Sequence, residues 1–184
     1  MKVNKFIFSF FIFIFGFSGS PTDTASESIS VSSSDDMEQV ARRPPVIGYW
    51  ESPPSVRICQ GAPVTLTRVN QAVEFWRRLG YEFGPVVRDN SPDCSFTRIH
   101  GSIMIGLVDQ NFIEPNLAMT RTLTSNRTRQ IVMSKILIKA DSATKQRVLE
   151  HEFGHALGWR HFNRRYHIMN SEWDRGGWTT TGLR

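Results

Sequence analysis

Cysteine is scarce in this chain: only Cys59 and Cys94 occur in 184 residues. Neither follows the apolar N-terminal run closely, so a lipobox-type lipid anchor is not indicated. Long hydrophobic runs are missing too. The longest, Phe6 to Phe17, is almost wholly Phe and Ile and is too short to span a bilayer comfortably. Basic residues outnumber acidic ones, 22 to 17, yet the arginines are scattered rather than clustered with aromatics. A nucleic-acid interface is therefore not expected, and a solvated basic surface is. No internal repeat and no second-domain pattern is visible.

Residues 1–20 combine a basic start (Lys2, Lys5), the short apolar run and the small residues Ser18-Gly19-Ser20. That pattern predicts a secretory signal peptide, hence an extracellular or periplasmic protein with no stable membrane anchor after cleavage. Residues 21–45 are rich in Ser, Thr, Asp and Glu and hold almost no large apolar side chain, which reads as a disordered linker or short pro-segment. Residues 46–184 suffice for one domain with a single core. In an oxidising compartment an even cysteine count favours a Cys59–Cys94 disulfide, with two free thiols as the alternative, because separation in space is not readable from sequence.

Within the domain, Ser55–Cys59 alternates between Pro and Gly boundaries and predicts a strand. Val69, Ala72, Val73, Trp76 and Leu79 fall at helical spacing over 65–79, with Gly80 as the stop. Further strands are expected at 82–87, 102–108, 117–123 and 131–138. The fourth of these five strands alternates apolar residues with Thr and Arg and suits an exposed edge. Asp141-Ser142 is read as the cap of a helix over 143–157.

The end of that helix carries the chemistry. Residues 151–161 read His-Glu-Phe-Gly-His-Ala-Leu-Gly-Trp-Arg-His, a complete H-E-x-x-H-x-x-G-x-x-H string. His151 and His155 are four apart and share one helix face, where two imidazoles can hold one ion. Glu152 lies about 100° round the helix, beside the ion rather than on it. Gly158 stands where a left-handed residue ends a helix, so the chain can turn and bring back His161. Three nitrogen ligands leave a fourth position open, as in a catalytic zinc site. Five fixed positions would coincide by chance in roughly one chain in 10⁵ of this composition.

Followed by Ile168-Met169-Asn170, the string resembles the metzincin clan of zinc endopeptidases. The interval from His161 to Met169 is similar to that of its matrixin branch. Ser171 stands where astacins and serralysins carry a metal-reaching tyrosine. The resemblance implies an α+β zincin fold, with a twisted, mostly parallel five-stranded sheet, an antiparallel edge strand, a backing helix and an active-site helix. It also implies one catalytic Zn²⁺ on His151, His155 and His161, Glu152 as general base, and Met169 as support beneath the histidines. The substrate would be a polypeptide extended along the edge strand, with Leu117, Ala118 and Met119 as rim candidates, and the protein a monomer. Met119 occupies the place of a matrixin histidine for a second zinc, which argues against that ion. Three rivals stay open: Glu172 or Asp174 as third ligand in place of His161, a zinc-stabilised binding module without turnover, and a cell-wall peptide hydrolase using the same site.

The C-terminus departs from the family. Only fifteen residues follow Met169, and Glu172 to Trp178 makes a poor helix with a Gly pair inside it. Trp173 and Trp178 are expected to pack beneath the core where the family has its last helix, with a specificity-pocket role as the alternative. His167 is expected at the surface of its turn, and His100 at a strand end.

Overall fold

The computed structural model describes residues 43–94, 98–108 and 116–184. The expected signal peptide and nearly all of the linker lie outside them. Five strands and two helices follow in the order β1 (Ser55–Cys59), α1 (Leu66–Arg77), β2 (Val86–Asp89), β3 (Ser102–Leu107), β4 (Ala118–Thr124), β5 (Ile131–Ile138) and α2 (Val148–Ala156). The sheet runs β2-β1-β3-β5-β4, with every pairing parallel except β4 against β5. The fold is thus α+β, with a mostly parallel five-stranded sheet and one antiparallel edge.

Side-chain alternation explains the layering. Val56 and Ile58, Ile103 and Ile105, and Ile136 and Ile138 project from neighbouring strands into one core. There they meet Val69, Ala72, Val73 and Trp76 of α1 and Leu149, Phe153 and Ala156 of α2. The opposite face carries a smaller cluster of Met104, Met133 and the bonded pair Cys59–Cys94. Central β3 is buried on both faces over Ser102–Gly106, as a strand flanked by parallel neighbours should be. α1 begins where Thr65 caps it, its hydroxyl accepting the Arg68 N–H at 3.1 Å. The disulfide joins the end of β1 to the turn after β2.

Two element boundaries differ from expectation. The second strand is Val86–Asp89 rather than 82–87. Its pairing with β1 starts at Val86↔Val56, because Phe83 turns into the core against Phe153 and Pro85 has no N–H to donate to a ladder. The active-site helix starts at Val148, not at 143. Arg147 sits at φ 69, a left-handed conformation that a right-handed helix cannot run through. Asp141 and Ser142 instead shape the turns ahead of it, where Ser142 is fully buried and donates to Asp141 Oδ1.

Residues 159–184 contain no helix, and the expected role of the two tryptophans does not hold. Trp173 and Trp178 are 43% and 49% exposed. The underside is closed by the C-terminal tail: the Ile168 N–H donates to Thr179 O, and Leu183 is fully buried. Tyr81 pins that end by donating to Leu183 O at 2.9 Å, while the Trp159 indole donates to the Tyr81 hydroxyl at 2.8 Å. Among the described residues no helix is long and apolar enough to cross a membrane.

Candidate metal centre and cleft

Helix α2 presents His151 and His155 one turn apart, with their Nε2 atoms 3.1 Å from one another. The helix then stops. Gly158 adopts φ 101, and a Cβ there would overlap the carbonyl oxygen of Gly48. The strand-like segment before β1 crosses at this point, the Ile47 N–H donating to Gly158 O and the Trp50 indole donating to Ala156 O. After this reversal His161 comes back with its Nε2 3.1 Å from that of His155. Glu172 lies instead in a surface ion pair with Arg175, and the three histidines form the cluster that can hold a metal ion.

Tautomers give the fit test. His151 Nδ1 lies 2.7 Å from Ile168 O, and His155 Nδ1 lies 2.7 Å from Trp159 O. A carbonyl can only accept, so each Nδ1 carries its ring's hydrogen and each Nε2 presents a bare lone pair. The lone pairs of His151 and His155 face each other at hydrogen-bond distance with no hydrogen to share, and His155 Nε2 lies equally close to His161 Nε2. A cation among them resolves the repulsion. Tetrahedral zinc at about 2.0–2.1 Å from nitrogen places its ligand atoms roughly 3.3–3.4 Å apart, close to the separations seen. Burial, then the neighbouring His155, pushes His151 down to about 3, and burial pushes His155 down to about 4. Burial lowers His161 as well. The rings are therefore neutral donors near pH 7, the form that binds metal.

Glu152 is buried beside the triad. Burial raises its carboxyl to about 7, against a hydrogen bond from Thr120 that lowers it. Thr120 Oγ1 lies 2.5 Å from Glu152 Oε2 and 3.2 Å from Glu152 O. Two residues along β4, the Thr122 hydroxyl donates to His155 O at 3.2 Å. The period-two threonines in β4 were legible as a strand pattern, but their attachment to the metal helix was not. Met169 is fully buried directly below Gly154, and its carbonyl accepts the Phe162 N–H. It packs against the helix that carries His151 and His155.

His167 departs from expectation. It is fully buried rather than at a turn surface, edge-on to Phe162 at 5.0 Å. The tail folded across the turn covers it. Nδ1 accepts the Met169 N–H at 3.1 Å, which leaves Nε2 to donate to Thr181 O at 3.2 Å. Burial lowers its pKa. His100 is exposed in the turn before β3, at a strand end as expected.

The triad opens into a cleft of about 870 Å³. Leu117, Ala118 and Met119 all border it, as do the three histidines. Ile168, Asn170, Ser171 and Trp173 line it as well. Arg147, which the sequence reading passed over, also lines it. No protein-family model matches the chain, and no curated protein matches it significantly.

Proposed function

We propose that the protein is a secreted zinc-dependent endopeptidase of the matrixin-like metzincin type. The observation that carries this reading is the convergence of three imidazoles beside a buried carboxyl, in a cleft bordered by a sheet edge.

His151, His155 and His161 would hold the ion, which when bound supplies Lewis acidity to water and to a peptide carbonyl. The remaining chemistry belongs to the chain. An extended peptide adds to the free edge of β4, main-chain hydrogen bonds fixing its carbonyl at the triad. Glu152 takes a proton from the attacking water through a carboxylate oxygen as the water oxygen bonds to the carbonyl carbon. When the C–N bond breaks, Glu152 returns that proton to the departing amine. Thr120 holds the Glu152 carboxyl in place beside the triad. The bonds from Nδ1 to backbone carbonyls fix the orientation of His151 and His155.

The test uses the full chain, zinc-loaded, on casein and on a random peptide mixture. Cleavage is expected to vanish with chelator, return with zinc, and fall at least 10²-fold in Glu152→Gln. Undiminished cleavage by Glu152→Gln would refute the assigned base. Tight zinc binding without turnover of any peptide would instead make this a binding module, and turnover confined to cell-wall peptides would change the substrate class.

A further inference from the structure

Arg147 differs from the other well-placed arginines. Arg57 is paired with Asp89, Arg68 with Glu150 and Arg175 with Glu172. Arg147 has no carboxylate partner among the described residues, although it is only partly exposed and lines the cleft. Its guanidinium is held against the Trp173 ring, 4.9 Å from the centroid, and Trp173 is itself fixed by its indole N–H donating to Gln146 O at 3.0 Å. Gly176, which also borders the cleft, leaves room for it: a Cβ there would come within 3.0 Å of an Arg147 guanidinium nitrogen. The main chain is anchored too, since the Arg147 carbonyl accepts the His151 N–H at 2.8 Å. The side chain is thus set over the Trp173 ring, braced and, among the described residues, without a counter-ion.

Position gives this cation a meaning. Arg147 precedes His151 by one helical turn, roughly 6 Å along the axis. An extended peptide advances about 3.3 Å per residue, so this main-chain offset corresponds to about two residues from a bond lying at the triad, in the cleft that Arg147 also lines. The charge of the cleft agrees. Among its described lining residues Arg147 and Arg160 are cationic, and Glu152 is the only carboxylate. A planar guanidinium with a stacked face keeps its N–H edge for bidentate contact with a carboxylate.

We propose that Arg147, stacked on Trp173, is a carboxylate-binding subsite that selects peptides with an acidic group beside the cleaved bond. This rests on the peptidase reading above. The carboxylate is either an internal Asp or Glu side chain or the α-carboxylate of a peptide end.

Two readouts separate the claims. The first is cleavage-site profiling of the zinc-loaded full chain on a random peptide mixture. The second is anisotropy of fluorescein-labelled peptides on zinc-loaded Glu152→Gln protein, using Glu and Gln pairs with free or amidated C-termini. Asp or Glu is expected to be enriched within two residues of the cleaved bond, and the carboxylate-bearing member of a pair to bind roughly tenfold more tightly. In Arg147→Gln the ratio should fall to about one, and Arg147→Lys should restore part of it. Discrimination between Glu and Gln assigns the side chain, and discrimination between free and amidated ends assigns the α-carboxylate. Equal affinity in both comparisons, or a preference that survives Arg147→Gln, overturns the proposal. Cleavage without discrimination would refute this subsite alone, whereas discrimination in binding without any cleavage would refute the peptidase reading alone.

Discussion

Gly154 and Met169 are in close contact at the helix that carries His151 and His155, and Gly154→Ala tests that contact with one methyl group. Gly154 lies in α2 immediately before His155, with its open face toward the core. A Cβ there would overlap Met169 Sδ and fall 2.9 Å from both Met169 Cε and Trp76 Cζ2. Carbon contacts are comfortable near 3.5–4.0 Å, so something must move by roughly an ångström. Trp76 is poorly placed to yield, being fully buried, donating its indole N–H to Glu150 O at 2.8 Å and packed edge-on against Phe75 and Tyr81. The displacement therefore falls on Met169, the flexible partner.

Overpacking of a filled core costs about 1–3 kcal/mol, and replacing a helical glycine by alanine returns about 0.8–1.0 kcal/mol. Trp76 being fixed places the cost in the upper part of its range, so the net loss is about 1–2 kcal/mol. For a domain of this size that lowers Tm by roughly 3–10 °C. Urea midpoints and calorimetry of the full chain would measure it, beside zinc affinity by competition with a chromogenic chelator. The structure also demands coupling: Met169→Ala removes the atoms in the way, so the double variant should be more stable than the two single losses predict. Full stability in Gly154→Ala, or strict additivity in the double variant, would refute the idea that Met169 is packed against this face of the helix.

Other perturbations probe the supports of α2. Arg68 donates twice to Glu150, at 2.8 and 2.6 Å, and Glu150 is buried one residue before His151. Arg68→Ala strands that carboxylate and is expected to cost about 3–5 kcal/mol, while Arg68→Met with Glu150→Leu recovers most of it; an Arg68→Ala protein with an unchanged urea midpoint would show the pair to be idle. The metal-free protein should lose stability as pH falls from about 6.5 toward 4. His151, His155, His161 and His167 all have folded pKa values below the unfolded one, so the unfolded chain binds more protons in that window. Glu152 works the other way, because its raised pKa contributes stability that is lost as pH rises through about 7. Four imidazoles outweigh one carboxyl, and Glu152→Gln should steepen the slope; a urea midpoint that is flat over this range would contradict the burial of the histidines.

Local pattern made much of this legible in advance. Strands β1, β3 and β5 follow apolar runs bounded by turn residues, and α1 follows its 3.6-residue period. The ligand string was readable because both its spacing and its glycine are local requirements of a helix that ends and turns back. What failed depended on partners distant in sequence. Asp141-Ser142 carries a good cap signature, yet Arg147 takes the left-handed conformation and the helix waits until Val148. His167 and the two tryptophans were misplaced for one reason. Whether an aromatic ring in a turn is covered depends on where the tail lies, and no periodicity announces that Leu183 will reach the core. Arg147 was overlooked because a lone arginine gains meaning only from the partners it lacks.

The threonines of β4 bear on how the proposed cleft would work. An edge strand that receives a substrate strand is ordinarily free to flex, since it is paired on one side only. Here Thr120 and Thr122 tie β4 to α2 through Glu152 and the His155 carbonyl, and Thr122 Oγ1 also lies 2.9 Å from Ser134 Oγ on β5. The strand proposed to align the peptide and the helix that presents the metal ligands are therefore cross-linked by side chains at the point where the two must agree in register. A shift of β4 by one residue would turn both hydroxyls to the other face of the sheet. It would release the Glu152 carboxyl and misalign the peptide together. In the proposed mechanism Thr120 would serve both substrate alignment and the position of the Glu152 carboxyl, so Thr120→Val should lower kcat as well as raise KM, whereas a rim residue that only touches the peptide should act on KM alone.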